Sequence, residues 1–88
     1  MKQFKDLEFI SCNDKFMSGK QSRIQFDNGY GASVVSHNFS YGGDLGLYEI
    51  AILDNKGQIC YFTPITNDVI GHLTEEDVTE VLIKIQSL

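Results

Sequence analysis

The sequence has no tryptophan, a single proline and two cysteines among its 88 residues, and its acidic residues outnumber the basic ones by twelve to seven. Two cysteines without an export signal are typical of free thiols kept reduced in a cytosol. No run approaches the roughly 20 apolar residues of a membrane span, which excludes a spanning helix. Asp6 and Glu8 interrupt the N-terminal residues before a signal-peptide core could form. We therefore expect one soluble cytoplasmic domain over residues 1–88.

The charge is unevenly distributed along the chain. The net charge is −5, with +2 carried by residues 1–23 and −7 by residues 24–88. Such an acidic body repels a phosphate backbone, so direct nucleic-acid binding is not expected. The same charge suits docking onto a basic protein surface, including one that holds nucleic acid. A solvated acidic exterior that keeps a small protein soluble is the simpler alternative.

The first half of the chain predicts one clear hairpin. Within residues 1–22, Phe4–Ile10 fits a strand or a short irregular helix, of which the strand is favoured, and a polar loop follows. An alternating strand begins at Arg23. Asn28 and Gly29 favour a two-residue type I′ turn. That turn would place Phe26 opposite Gly31, so that one face of the hairpin would carry Ile24, Phe26, Ser33 and Val35.

A second hairpin is predicted over residues 47–62. A strand over residues 47–53 is followed by Asp54-Asn55-Lys56-Gly57, a sequence typical of a type I turn with a bulge, and by a strand over residues 58–62. Pro64 cannot donate a ladder hydrogen bond, and it is expected to end the sheet.

The C-terminal residues predict an amphipathic helix over residues 74–87. Thr74 is the candidate N-cap, and three acids follow it in the first turn, where the helix dipole favours them. One apolar stripe contains Val78, Val81, Leu82, Ile85 and Leu88. The resulting fold class is α+β, an antiparallel sheet of about four or five strands from two hairpins with the helix packed on one face. Ile83 lies off the stripe and suggests a possible homodimer.

No catalytic, cofactor or metal motif is present. Ser18-Gly19-Lys20 resembles the end of a phosphate loop, but Asp14 and Gln21 stand where a glycine and a hydroxyl are needed. His37 and His72 are too far in sequence from each other and from the cysteines to predict a zinc site. We expect no enzyme activity, no cofactor and no metal.

Residues 28–43, NGYGASVVSHNFSYGG, are the best candidates for a binding surface. The turn accounts for Asn28 and Gly29, and the strand accounts for the valines. Without interleaved basic residues, the aromatic side chains favour a protein interface over a base-stacking platform. The predicted binding residues are Tyr30, His37, Phe39, Tyr41, Gly42, Gly43 and Asp44.

Three segments, NGYGASVVSHNFSYGG, GLYEIAIL and TPITNDVIGHLTEEDV, resemble a family of small, mostly uncharacterised proteins carried by tailed bacteriophages and prophages. The resemblance covers residues 24–85 and brings no catalytic residue with it. It implies a phage accessory protein made in the bacterial cytoplasm, of a kind that often binds and disables a host factor.

The leading functional hypothesis is a non-enzymatic protein that inhibits a host protein, such as a CRISPR effector or another nucleic-acid-handling defence enzyme. The first alternative is a small-molecule or nucleotide-binding protein, a sponge for a signalling nucleotide, that uses Ser40–Gly46 and the tyrosines. The second alternative is a minor structural or assembly protein of the virion.

Overall fold

A five-stranded antiparallel sheet and one C-terminal helix make up the fold, in a computed structural model that describes residues 1–88. The strands lie side by side in chain order, and the α+β prediction is confirmed. Short 3-10 turns cover Phe4–Asp6 and Gly43–Leu45. The regular elements are β1 (Ile10–Ser11), β2 (Gly19–Gln25), β3 (Gly31–His37), β4 (Tyr48–Leu53), β5 (Ile70–Leu73) and α1 (Glu75–Gln86).

Helix α1 begins and packs as its sequence predicts. The Thr74 hydroxyl accepts a hydrogen bond from the Asp77 N–H at 3.1 Å, and the Asp77 carboxylate accepts one from the Thr74 N–H at 3.0 Å. These reciprocal bonds satisfy donors that the first helical turn leaves free. The predicted stripe is buried against one face of the sheet, where the core contains Val34, Ile50, Ile52, Val78, Val81, Leu82 and Ile85.

The first hairpin forms with a register one residue away from the predicted one. Gln25, not Phe26, lies opposite Gly31, and the Phe26 N–H donates to the Tyr30 carbonyl at 2.8 Å. The loop therefore has three residues, and only its last, Gly29, has a positive φ, of 88°. A side chain explains the longer loop, because the Asn28 carboxamide accepts the Tyr30 N–H at 3.1 Å and donates to the Ile85 carbonyl at 2.8 Å.

This shift of one residue exchanges the two faces of the hairpin. Ile24 and Phe26 pack against the core beneath the helix together with Ala32 and Val34, whereas Val35 pairs with Glu49 and Gln21 on the opposite face. The predicted grouping of Ile24 and Phe26 with Ser33 and Val35 is wrong.

The N-terminal segment begins with a short helical turn, the alternative to the favoured strand, and packs against the core. Phe4 lies in a 3-10 turn, and its N–H donates to the Thr79 hydroxyl at 3.0 Å. The rings of Phe4, Phe9 and Tyr48 pack at centroid distances of 5.1 to 5.8 Å. The apolar residues of this segment are irregularly spaced, and their packing does not require the alternating pattern of a strand. Only Ile10 and Ser11 pair as a strand. Strand β2 also begins at Gly19, earlier than expected.

The second hairpin keeps its predicted turn but loses most of its second strand. Gly57 has a φ of 78°, and the Asp54 N–H donates to the Gln58 carbonyl at 2.8 Å. Beyond it only one bridge forms, between Leu53 and Ile59. The rest of that edge of β4 is occupied by β5, where Ile70 pairs with Ile50. The sheet therefore resumes after Pro64, contrary to prediction.

Candidate functional site

The predicted binding residues separate into two groups at opposite ends of β3. Tyr30 directly precedes the strand and packs partly buried against the core, whereas His37 is the last residue of the strand. At about 3.3 Å per residue, roughly 23 Å separates the two. Tyr30 therefore does not join the other candidates, and the remaining ones lie in the loop that connects β3 to β4.

Large apolar side chains face solvent where β3 ends and β4 begins. Phe39, Tyr41 and Leu45 in this loop, and Phe16 in the neighbouring loop before β2, are between 63% and 73% exposed. A single exposed apolar side chain is ordinary, but several at one end of so small a domain make that end the candidate for an interaction site. We call Phe16, Phe39, Tyr41 and Leu45 the aromatic end.

A buried serine holds Phe39 in place. The Ser40 hydroxyl accepts the His37 N–H at 2.9 Å and donates to the His37 carbonyl at 2.9 Å. The His37 Nδ1 accepts the Phe39 N–H at 3.1 Å. These hydrogen bonds join the two ends of the turn His37–Ser40. Phe39 is therefore exposed on a turn whose backbone is held by hydrogen bonds.

The loop that carries Phe16 is bonded to this turn through Asn38. The Asn38 carboxamide donates to the Phe16 carbonyl at 3.1 Å and accepts the Ser18 N–H at 2.9 Å. Within the loop, Asp14 accepts the N–H groups of Phe16 and Met17 at 2.8 and 2.7 Å. These backbone hydrogen bonds lower the pKa of the Asp14 carboxyl. The two loops therefore present their aromatic residues as one bonded unit.

The two predicted glycines are explained by close packing. Gly42 is buried with a φ of 88°, and a Cβ there would lie 2.9 Å from the His72 Cα. A Cβ at Gly43 would collide with the His37 carbonyl. Both residues shape the loop, and the exposed Asp44 follows them in its 3-10 turn.

His72 contacts the other side of this loop, and its own backbone has a strained conformation. Its φ of 57° makes it the only non-glycine residue with positive φ, and its N–H donates to the Tyr41 carbonyl at 3.0 Å. For a residue with a Cβ this conformation costs about 1 to 2 kcal/mol. Such strain often accompanies functional surfaces, and here it fixes the backbone that carries Tyr41.

The glycine-rich loop lacks the free amides that an anion site needs. An anion-binding nest requires successive N–H groups that point into an empty concavity. Five amides of this loop donate to the loop's own carbonyls instead, and they belong to Ser40, Gly43, Leu45, Gly46 and Leu47. The tyrosines do not assemble around it either, since Tyr48 is buried among phenylalanines.

Exposed acidic residues lie at the same end of the sheet as the aromatic end. Leu73 pairs with Tyr48 at the start of β4, so helix α1 begins at this end of the sheet and exposes Glu75 and Glu76 there. Asp44 adds a third exposed carboxylate. One ammonium group, that of Lys15, lies 5.7 Å from the centre of the Phe16 ring.

Sequence reasoning missed Phe16, Leu45 and His72 as members of this surface. Asp14 two residues before Phe16 is typical of a side-chain-closed turn and could have indicated an exposed tip. Leu45 lies in a glycine-rich segment, which weakly suggests exposure. His72 gives no sequence signal, because its conformation depends on tertiary contacts with Tyr41 and Gly42.

A cleft of about 590 Å³ lies at the opposite end, between Lys2, Asp6, residues 25–28 and Gln86. Of the predicted binding residues, none lines it. Side chains of the metal-ligating types do not gather in groups of three, and α1 is too short and too polar to cross a membrane. Comparison with known protein families, characterised proteins and solved structures gives no match to this chain.

Proposed function

We propose that this protein is a phage-encoded, non-enzymatic binding protein that inhibits a host protein through its aromatic end. The observation that carries the proposal is the exposure of four large apolar side chains on two mutually bonded loops. Aromatic residues dominate the energetic centres of protein interfaces. A bonded loop also loses less conformational freedom on binding than a free one, so more of the contact energy contributes to affinity.

The partner we propose is a basic surface of a nucleic-acid-handling defence enzyme, such as a CRISPR effector, in the bacterial cytoplasm. The exposed acids at the same end of the sheet, Asp44, Glu75 and Glu76, complement a surface built to hold phosphates. When bound to that surface, this protein would block the access of nucleic acid to the enzyme. It would inhibit the enzyme by steric exclusion, with no chemical reaction. The resemblance to tailed-phage proteins over residues 24–85 supports the host setting.

The hydrogen bonds at this end support binding rather than catalysis. The Ser40 hydroxyl is engaged with the His37 backbone, and the Ser36 hydroxyl donates to the Leu47 carbonyl at 2.9 Å. The His37 Nδ1 is engaged with the Phe39 amide. A catalytic pair needs a hydroxyl in hydrogen-bond contact with an imidazole nitrogen, and these contacts are of a different kind.

A plasmid-interference assay tests the proposal. Bacterial strains that each carry one defined CRISPR system are transformed with a targeted plasmid, with and without this protein. We expect the protein to restore transformation in at least one strain, and Phe39→Ala with Tyr41→Ala to abolish the effect. Ile10→Ala, which alters an exposed apolar residue in β1, is the matched control and should keep activity.

Binding to the purified effector from the responsive strain then measures the surface directly. Loss of a central aromatic residue typically costs about 2 kcal/mol, a roughly thirtyfold weaker Kd. Affinity should also fall as salt is added, because charge attraction contributes to it. Full activity of the Phe39 and Tyr41 double variant, or no protection in any strain, would overturn the proposal.

A further inference from the structure

A second surface of the molecule is an open edge at residues 58–62, where Ile59 bridges to Leu53 of β4 and residues 60–62 belong to no strand. The Asp54 N–H donates to the Gln58 carbonyl, and the Cys60 N–H donates to the Ile52 carbonyl at 2.7 Å. Since successive residues of a strand direct their backbone groups to opposite sides, the N–H and C=O of Ile59 point away from the sheet. The backbone groups of Ile59 and Tyr61 make no hydrogen bond within the chain.

The side chains on this edge are apolar and exposed. Phe62 is 94% exposed, and Ile59 and Tyr61 are nearly half-exposed. The surrounding residues 57–67 include no charged side chain. An edge with free backbone groups and uncharged, apolar side chains is a template for pairing with another strand.

We infer that this edge pairs with the same edge of a second copy, antiparallel, about a two-fold axis that passes between the two Cys60 residues. In this register Ile59 lies opposite the second copy's Tyr61 and forms the hydrogen-bonded pair. Gln58 then lies opposite the second copy's Phe62. The sheets of the two copies become continuous, and this contact is independent of the aromatic end.

Charge does not oppose a second copy at this edge. Two bodies of net charge −5 repel each other over most of their surface, and the uncharged edge is a place where they can meet without opposed carboxylates. The register is also self-complementary, since Ile59 of each copy meets Tyr61 of the other on both sides of the axis. A symmetric contact of this kind closes after two copies.

The exposed area indicates a weak dimer. Taking about 200 Å² for a fully exposed side chain of this size, Ile59, Tyr61 and Phe62 offer roughly 350 to 400 Å² per copy. Two copies would bury about 750 Å² of side-chain surface, below the ~1,200 Å² of stable complexes. A method that traps a transient contact is therefore the suitable test.

A disulfide between the Cys60 residues of two copies would trap the contact, and Cys12 serves as the control cysteine. Opposed residues of a non-hydrogen-bonded antiparallel pair have Cα atoms about 4.5 Å apart, within the range that a disulfide spans. Both cysteines are free. The Cys12→Ser variant, oxidised with copper phenanthroline, should give a covalent dimer on a non-reducing gel, and Cys60→Ser should stay monomeric. Equal yields from the two variants in native buffer, or no dimer from either, would overturn the inference.

A charge exchange tests the register in the Cys12→Ser background. Phe62→Glu should lower the yield of trapped dimer about tenfold, because it places an unpaired carboxylate in an apolar contact. Adding Gln58→Lys should restore it, since each glutamate would then face a lysine of the second copy. Both positions are exposed, and circular dichroism checks that the fold is kept. Unchanged trapping in Phe62→Glu, or no recovery in the double variant, contradicts the two-fold register.

Discussion

The two ends of the sheet use the same kind of loop for different purposes. At the turn end, around residues 27–29 and 54–57, Asn28 and Asp54 close the backbone with side-chain hydrogen bonds, and the nearby Phe26 and Tyr30 pack inward. At the aromatic end, Ser40 and Asn38 close the backbone equally well, but the aromatic residues point outward. The loops are therefore equally ordered at the two ends. The direction of the aromatic side chains is what distinguishes them.

The largest expected effect comes from removing the core that supports both ends. Leu82→Ala deletes a fully buried side chain between α1 and the sheet, and it should lower the free energy of unfolding by about 2 to 5 kcal/mol. Urea denaturation followed by circular dichroism measures the change. Both ends should lose order together; a variant that disorders only one end would show that the ends are independent units.

Ser40→Ala should loosen the aromatic end and destabilise the protein by about 1 to 3 kcal/mol, because it leaves the partly buried His37 N–H without its partner. Hydrogen exchange should increase over residues 37–47 and stay unchanged over residues 27–29. Equal exchange at both ends would contradict a local role for this hydroxyl.

Asn28→Ala is the matched change at the turn end. It removes the bonds to the Tyr30 N–H and to the Ile85 carbonyl at the end of α1, and the expected destabilisation is about 0.5 to 1.5 kcal/mol. Inhibitory activity measured at a temperature where the protein is fully folded should be kept. Loss of activity in this variant would mean that the turn end also contacts the partner.

A pair of aspartates allows the two ends to be compared by pH. Backbone hydrogen bonds lower the pKa of Asp14 at the aromatic end and of Asp54 at the turn end below the ordinary value of 3.8. Each carboxylate therefore stabilises the folded state above that value, and the contribution disappears as the pH falls through the lower folded pKa. Urea midpoints should fall below about pH 4. In Asp14→Asn and in Asp54→Asn, the urea midpoint should fall less on acidification than it does in the unsubstituted protein. If neither substitution changes the pH dependence of the urea midpoint, these two carboxylates are not its source.

The smallest expected effect on stability belongs to Phe39→Ala. Its side chain is mostly exposed, so the free energy of unfolding should change by no more than about 0.5 kcal/mol. Because the same substitution is expected to weaken inhibition, it separates fold from function. A loss of more than 1 kcal/mol would place Phe39 in the packed structure and remove it from the binding surface.

The sequence predicted what local chemistry determines. The helix with its Thr74 cap and the Asp54–Gly57 turn were predictable because cap, dipole and turn residues act within a few positions. The register of the first hairpin was not, since the Asn28 side chain reaches a carbonyl 57 residues away. The position of β5 was likewise hidden, because two segments compete for one edge of β4.

The candidate site was partly predictable for the same reason. His37, Phe39, Tyr41, Gly42, Gly43 and Asp44 follow one another in a single loop, so one segment of sequence contained them. Phe16 and His72 join it only through contacts between distant segments. Tyr30 was grouped with them because it is near in sequence, although a whole strand separates it in space.

The docking of the N-terminal segment on α1 has a kinetic consequence. The strands neighbour one another in chain order, an arrangement of local contacts that favours rapid assembly. The bond from the Phe4 N–H to Thr79 instead joins residues 75 positions apart, and the Lys2 N–H reaches Gln86 across 84. We expect these contacts to form after the rate-limiting step of folding, so that weakening them accelerates unfolding and leaves the folding rate unchanged.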